Sequence, residues 1–180
     1  RQQQVRYLIQ DDIPSIRTEV QLRAGEWITL YVVHPRPPAP GEADDSKNRD
    51  AEIILVGKET KNIKGAVIVA GDFNDVAWSR TTELFQEVSG LLDPRRGRGF
   101  YNTFHAGYPF FRWPLDHIFH SNHFTLGSIK RGGKVNSDHF PMYVQLALQE
   151  QAKKIQQPHK ADEDTREDAN RAIRKADKED

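Results

Sequence analysis

The sequence predicts an α/β fold, with a sheet and helices forming one domain over residues 1–150 and a charged tail over residues 151–180. Short runs rich in Val, Ile, Thr and aromatic residues alternate with stretches whose apolar residues have helical spacing. Polar residues follow several of these runs directly, as they do where strands end at a ligand-binding edge of a sheet. The length of 180 residues suits one domain of this kind.

The first predicted elements are a hairpin and a helix. Residues 15–22 and 26–33 have the composition of strands and are separated by a short segment that includes Gly25. Closely spaced prolines follow the second strand and stiffen a loop, so His34 stands at a strand end. Residues 46–62 carry apolar side chains at helical spacing and predict a helix.

A strand, a polar loop and a helix are predicted next. Residues 66–70 are a continuous apolar run, as expected for a strand covered on both faces. The run ends in the polar segment Gly71-Asp72-Phe73-Asn74-Asp75. Ser79 then offers an N-cap, an apolar stripe follows, and Gly90 offers a stop, which together predict a helix.

The remainder of the domain combines a long loop with short strands. Residues 93–114 are irregular and rich in arginine, glycine and aromatic residues, and long loops of this kind are usually functional. Their arginines are predicted to form a solvated loop face, with contact to a substrate phosphate as the alternative: Arg95, Arg96 and Arg98. Strands are predicted at residues 116–120, 124–130 and 142–148.

Composition excludes several classes of protein. The chain has 26 basic residues, 26 acidic residues and no cysteine, which excludes a disulfide scaffold, a thiolate zinc site and a cysteine nucleophile. No apolar run approaches the roughly 20 residues that a membrane-spanning helix needs. Zero net charge supplies no global attraction to a phosphate polymer. Any metal must therefore be bound by carboxylates, amides or imidazoles.

The tail differs sharply in composition from the domain. Residues 151–180 contain 8 basic and 8 acidic residues, and their only large aliphatic residues are Ile155 and Ile173. Because so few apolar side chains cannot build a core, the tail is predicted to be disordered or a solvated helix.

Three polar clusters stand at the ends of strand-like runs: Asp72 with Asn74, Asp116 with His117, and Asp138 with His139. Strands deliver such side chains rigidly to one edge of a sheet. Hydrolysis of a phosphate ester needs a hard cation on oxygen ligands, a base that positions water, and donors for the developing charge. Asp, Asn and His are suited to these functions.

Each cluster also has a structural interpretation. Asp72 and Asn74 are common turn formers that hydrogen-bond their own backbone, and Asp116 is able to cap a local turn. Ser137-Asp138-His139 has the composition of an ordinary strand entry. The histidines at positions 34, 105, 117, 120 and 123 are open to packing roles, because their rings have an apolar body and a polar edge.

Four segments, in their order along the chain, resemble motifs of the endonuclease/exonuclease/phosphatase superfamily, which includes DNase I-like nucleases and Mg²⁺-dependent phosphodiesterases. Residues 67–74 (VIVAGDFN) are similar to its GDxN motif, residues 115–119 (LDHIF) to its LDxIF-type motif, and residues 137–141 (SDHFP) to its SDHxP motif. The strand that ends in His34 resembles the segment that carries a further family histidine. The resemblance implies a DNase I-like α-β-β-α sandwich.

The resemblance also implies a role for each matching residue. His139 would be the general base for the attacking water or a charge-stabilising group at phosphorus, with its tautomer fixed by Asp116. Asp138 and Asp72 would lie at or near the metal ion, Mg²⁺ or Mn²⁺. Asp72 and Asn74 would position the nucleophile and donate to the scissile phosphate. His34 would be a second imidazole near the leaving group or phosphate.

Two features of the family pattern have no recognisable counterpart: an early strand with an asparagine, and a later glutamate that binds the metal. Glu19 and Glu26 lie on or beside the hairpin strands, and neither is assigned as that ligand. Asn136 stands where a glycine is common. The resemblance therefore implies the C-terminal portion of the domain, truncated at the N-terminus.

Truncation would have physical consequences. Absence of several strands would leave apolar surface and bare sheet edges, so we expect self-association through that surface. Absence of one carboxylate ligand would weaken Mg²⁺ binding, so we expect a weak catalyst.

The sequence thus predicts a divalent-metal-dependent phosphoesterase whose substrate is a nucleic acid, a phospholipid or an inositol phosphate. The alternative is a catalytically inactive interaction domain with the same fold. Residues 34–38 and 113–116 also look like those of a bacterial subgroup whose full-length members carry membrane-spanning helices before this domain. That likeness implies a membrane-anchored full-length protein.

Overall fold

A computed structural model describes residues 3–38 and 46–176 and contains two sheets and four helices within those ranges. The strands are β1 (Gln3–Tyr7), β2 (Pro14–Gln21), β3 (Trp27–Val33), β4 (Ala66–Asp72), β5 (Asp116–His120), β6 (Phe124–Arg131) and β7 (Met142–Leu148). The helices are α1 (Ser46–Lys61), α2 (Arg80–Ser89), α3 (Ala152–Ile155) and α4 (Glu163–Ala176). Residues 39–41 of the predicted proline-rich loop lie outside the described residues.

The larger sheet brings three chain segments to one edge. Its order is β1-β2-β3-β4-β5, with β3 and β4 parallel and every other neighbouring pair antiparallel. A parallel pair needs a crossover, and α1 lies within it. The carboxyl ends of β3 and β4 therefore meet the start of β5, where Asp72 is paired with Asp116. His34 follows β3 directly at the same edge.

One face of this sheet packs against helices. Tyr31, Val69 and Phe119 are cross-strand neighbours on that face, and all three are buried. Ile53 of α1 and Phe85 of α2 belong to the same apolar cluster. This cluster fixes the strands that carry the polar edge.

The opposite face is apolar and only partly covered. The β6–β7 sheet contributes Phe124 to a small cluster with Ile28 and Ala66. Farther along the same face, Val5 and Val32 remain exposed. Exposed apolar side chains in one row of a sheet are available to contact further protein surface.

Helix α2 has the predicted boundaries. The Ser79 hydroxyl accepts a hydrogen bond from the backbone N–H of Thr82 at 3.0 Å. Gly90 adopts φ 70° and donates its N–H to the carbonyl of Gln86 at 2.9 Å. Both ends are therefore capped as the sequence predicts.

The tail contributes to the core, contrary to prediction. Helix α4 contacts α1 and α2, and Ala169 is fully buried in the main apolar cluster with Ala172 and Ile173 packed beside it. These three residues have the i, i+3, i+4 spacing of a narrow apolar stripe. The solvated-helix prediction therefore holds for the charged side of α4 only, because small alanines allow the other side to approach closely. Residues 177–180 lie outside the described part of the tail.

Within residues 3–38 and 46–176, no helix has the length and apolar character required to cross a membrane.

Candidate active site

Asp72 is placed by a close approach between β3 and β4. Gly71 has φ +151°, and a Cβ added there would lie 1.8 Å from the carbonyl oxygen of Val33. Only glycine therefore allows β4 to lie against β3 at this position. The next residue, Asp72, consequently lies beside His34, with 3.8 Å between Asp72 Oδ2 and His34 Nε2.

Asn74 holds the loop that follows Asp72. Its backbone N–H donates to Asp72 Oδ1 at 2.8 Å, and its φ of 49° is one that asparagine tolerates. Its side-chain Nδ2 donates to the carbonyl of Pro35 at 2.9 Å. Asn74 thus ties the Asp72 loop to the loop after His34, and its donation to a substrate phosphate stays a prediction.

His139 is oriented by Asp116 and by an aromatic neighbour. His139 Nδ1 lies 2.7 Å from Asp116 Oδ2, and His139 Nε2 lies 3.7 Å from Asp72 Oδ2. Phe104 is bridged to His139 through the backbone, and their ring centroids are 5.0 Å apart. Thr103 is buried beside Phe104, and its hydroxyl accepts the backbone N–H of Asp116 at 3.3 Å. The imidazole therefore points Nε2 towards Asp72.

Burial and neighbouring carboxylates together shift the pKa values of two groups at this edge. Burial raises the pKa of Asp72, the Asn74 N–H opposes the rise, and the Asp116 carboxylate adds to it. Burial lowers the pKa of the His139 imidazole, but the hydrogen bond and charge of Asp116 outweigh burial, aided by Asp72 and Asp138. The net shift is upward for both groups. A bound cation would relieve the repulsion between the carboxylates.

The clustered groups are chemically suited to a divalent cation. Ligand atoms of Asp72, Asp116 and His139 all lie within 4.8 Å of one another. Among the described residues, Asp72 Oδ2 and Asp116 Oδ1 receive no hydrogen bond from a donor. Mg²⁺ is typically bound through one or two carboxylates, with waters and substrate phosphate as the other ligands. These residues therefore fit Mg²⁺ or Mn²⁺.

Two predicted site residues lie at the margin of this cluster. Asp138 is exposed, and its carbonyl accepts the N–H of Ala106, but its carboxylate is not part of the clustered ligand group. The carboxylate that accompanies Asp72 is Asp116, which the sequence predicts only as a partner of His139. The His34 side chain is 70% exposed and stands at the rim.

His117 and Arg95 have structural positions next to the site. His117 Nε2 donates to the carbonyl of Asp75 at 2.9 Å, and its Nδ1 accepts from Arg95 at 2.8 Å. Burial lowers the pKa of His117 to about 3, which keeps the ring neutral. The prediction of a solvated face is wrong for Arg95, which is buried and paired with Asp93 at 2.7 Å. The loop folds back onto β5, because Arg95 also donates to the carbonyl of Asp116.

Three residues that support the site carry no signal for this role in the sequence: Thr103, Phe104 and Arg49. Arg49 donates to the carbonyl of Asn74 at 2.8 Å from helix α1. Nothing in the spacing of these residues indicates their contacts, because each depends on how a loop or crossover folds over the sheet. Arg96 and Arg98 are exposed, as predicted.

Solved structures with the same architecture include a phosphatase and a protein that was crystallised with a DNA product. The mannosyl-6-phosphatase of Bacteroides thetaiotaomicron has a TM-score of 0.60 and 20% identity, over 76% of this chain and 57% of that one. TDP2 of D. rerio, complexed with a single-strand DNA product, has a TM-score of 0.64 and 17% identity, over 81% and 67%. At these identities the likeness shows the fold, and the predicted DNase I-like α/β architecture is confirmed.

The amino-acid sequence is similar to that of one curated protein and matches the pattern of one protein family. The UPF0294 protein of Vibrio campbellii is 27% identical over 145 residues, which are 76% of this chain. The chain spans 46% of that relative's length. The sequence pattern of the Endonuclease/Exonuclease/phosphatase family matches residues 1–139, which include every clustered site residue. The chain therefore belongs to the Endonuclease/Exonuclease/phosphatase family.

Proposed function

We propose that this chain carries the catalytic edge of a divalent-metal-dependent phosphoesterase that hydrolyses phosphodiesters. The observation that supports this most directly is the convergence of Asp72, Asp116 and His139, which come from distant segments, within 4.8 Å. Members of the family are usually hydrolases of phosphoesters. Among the similar structures, one is a mannosyl-6-phosphatase and another holds a single-strand DNA product.

His139 is the proposed proton acceptor. When Nδ1–H donates to Asp116 Oδ2, the tautomer leaves the lone pair on Nε2, which faces Asp72. Water positioned between Nε2 and the phosphorus atom would lose its proton to this nitrogen as its oxygen bonds to phosphorus. The bond between phosphorus and the leaving-group oxygen would break in the same step, and that oxygen would take up a proton. Asp116 then stabilises the resulting imidazolium, as the raised pKa of His139 indicates.

Asp72 and Asp116 are the residues that we propose would hold Mg²⁺ or Mn²⁺ through their carboxylates. When bound, the cation would polarise the phosphoryl group and neutralise charge that develops on its oxygens. The exposed Asp138, next to His139, adds negative charge and is a proposed neighbour of the metal.

His34 and Asn74 are proposed to act on the substrate side. The exposed His34 ring is free to turn towards a phosphate or a leaving-group oxygen while it stays near Asp72. Asn74 would donate to the scissile phosphate from a loop held in place by two hydrogen bonds, one from its side chain to Pro35 and one from its backbone N–H to Asp72. A nucleic acid, a phospholipid or an inositol phosphate would each present the required phosphorus centre.

The test is Mg²⁺-dependent hydrolysis of bis(p-nitrophenyl) phosphate. His139→Ala is expected to lower kcat/KM roughly 100-fold or more, since it removes the proton acceptor. His159→Ala is the matched control, because His159 is an exposed histidine of the tail. Chelation of the metal should abolish activity, and added Mg²⁺ should restore it.

The assay uses the 180-residue chain, which spans 46% of the length of the Vibrio relative. Hydrolysis that is unaffected by His139→Ala would contradict the proposal. Complete inactivity with Mg²⁺ and Mn²⁺ would favour the interaction-domain alternative.

A further inference from the structure

A loop beside the candidate active site carries an exposed aromatic tip. Residues 105–112, which we name the tip loop, are closed at their base by an antiparallel bridge between Phe104 and Trp113. Phe110 is 89% exposed and Phe111 is 65% exposed, with Tyr108 and Trp113 also exposed. Burial of such side chains against another surface would be strongly favourable, so the tip is suited to binding.

The base of the tip loop is continuous with the candidate active site. Phe104 is bridged to Trp113 on one side and to His139 on the other. The ring of Phe104 lies 5.0 Å from that of His139 and 6.4 Å from that of Trp113. Any surface that the tip contacts would therefore lie close to His139.

Two arginines stand below the tip, and neither has an acidic partner among the residues that the structure describes. Arg112 and Arg131 both lie over the ring of Phe140, at 4.9 Å and 4.3 Å from its centroid. Arg112 Nε donates to the carbonyl of Tyr108 at 2.8 Å, which fixes the guanidinium at the loop. Within the described ranges, neither arginine has a carboxylate within the 4.0 Å of an ion pair. Their charge is available to an external anion.

We infer that the tip loop docks on the surface of a bilayer that contains anionic phospholipid, with the phenylalanines in the acyl boundary and the arginines at the lipid phosphates. Phe110 and Phe111 have no polar atoms in their side chains, whereas Tyr108 and Trp113 have the polar edge suited to headgroup depth. Cations beside an apolar tip complement the negative charge of such a surface.

A polynucleotide fits these observations less well. The chain has zero net charge, which supplies no extended electrostatic track for a phosphate backbone. The rings of Phe111 and Trp113 are near parallel, at 26°, and pack against each other, so they do not stand as separate stacking platforms. The lipid inference rests on the proposed function in one respect: docking would present a lipid phosphoester to His139. Docking itself is independent of hydrolysis.

The test measures co-sedimentation of the 180-residue chain with vesicles of phosphatidylcholine, alone or mixed with phosphatidylglycerol. Wild-type chain should sediment with the mixed vesicles. Phe110→Ser combined with Phe111→Ser should lower the partition coefficient at least about tenfold, because two apolar rings lose their buried site. Phe100→Ser is the matched control, since Phe100 is 63% exposed but lies outside the tip loop, and it should bind as the wild type does.

Two further variants separate the contribution of the arginines to vesicle binding from any contribution of catalysis. Arg112→Gln combined with Arg131→Gln should remove the preference for phosphatidylglycerol, and added salt should have the same effect on the wild type. His139→Ala should bind vesicles normally, which separates docking from catalysis. Normal vesicle binding together with absent hydrolysis would therefore remove the proposed function and keep the docking surface.

Absence of wild-type binding to the mixed vesicles would overturn the inference, as would unchanged binding by the double phenylalanine variant. Binding to a single-stranded oligonucleotide but not to vesicles, lost in the same variant, would replace it with a base-stacking role. Phe110→Ser alone, at the more exposed position, gives a second variant with a smaller expected loss if the double variant unfolds.

Discussion

Glu52 makes the stability of the fold depend on pH. This residue of helix α1 is 2% exposed, and its Oε1 has no hydrogen-bond partner among the described residues. Burial raises the pKa of its carboxyl from 4.5 to about 7. The protonated form is therefore the one that the native state accommodates, whereas the unfolded chain ionises near the ordinary pKa.

The size and sign of the effect follow from that shift. A difference of about 2.5 pH units at about 1.36 kcal/mol per unit amounts to about 3 kcal/mol in the free energy of unfolding. Stability from the protonated carboxyl is fully present below pH 4.5 and is lost as pH rises through 7. Between about pH 5 and pH 8, the wild type should lose about 2.5 kcal/mol from this group.

Glu52→Gln removes the titration and retains the shape of the side chain. Urea unfolding should be measured at a series of pH values. The unfolding free energy of the variant minus that of the wild type should increase by about 2.5 kcal/mol between pH 5 and pH 8. Glu167→Gln, at an exposed position of α4, is the control and should follow the wild type throughout. A difference between Glu52→Gln and wild type that does not change with pH would refute the reasoning.

Other features of the fold give further expectations. Gly71→Ala should cost at least about 2 kcal/mol of unfolding free energy, because its Cβ would meet the Val33 carbonyl; an unchanged urea midpoint would contradict the close approach. Asp116→Asn should lower the pKa of His139, since it removes the charge that raises that pKa; NMR titration of the imidazole would show an unchanged value if the contact were absent. The exposed apolar row that includes Val32 predicts self-association in sedimentation velocity, weakened by Val32→Asp; a monomer at high concentration would argue against it.

Local signals in the sequence predict most of the elements. The helix between Ser79 and Gly90 has capping residues at both ends, and the 66–70 run has the composition of a buried strand. The parallel pairing of β3 with β4 is not determined by such local signals, because it depends on the crossover that α1 completes. The sequence does not predict that helix α4 packs in the core, because the residues with which it does so are mainly alanines, whose small side chains are only weakly hydrophobic.

In the candidate site too, some features follow from local sequence signals and others depend on how distant segments fold together. Strand ends in the sequence identify Asp72, Asp116 and His139 as neighbours. The sheet register pairs Asp72 with Asp116, and a backbone bridge to Phe104 holds His139 beside them. The burial of Arg95 and the packing of Phe104 on His139 depend on the path of the 93–114 loop, which has no periodic pattern. The exposed position of Asp138 depends likewise on how its loop enters β7.

Binding of Mn²⁺ tests the convergence of these residues most directly. In an NMR titration with substoichiometric Mn²⁺, the ring signals of His139 should broaden first, and excess Mg²⁺ should restore them. Asp72→Asn should abolish the broadening, because it removes a ligand carboxylate. Broadening confined to the acidic start of α4, with the His139 signals still sharp, would contradict a metal site formed by Asp72 and Asp116 beside His139.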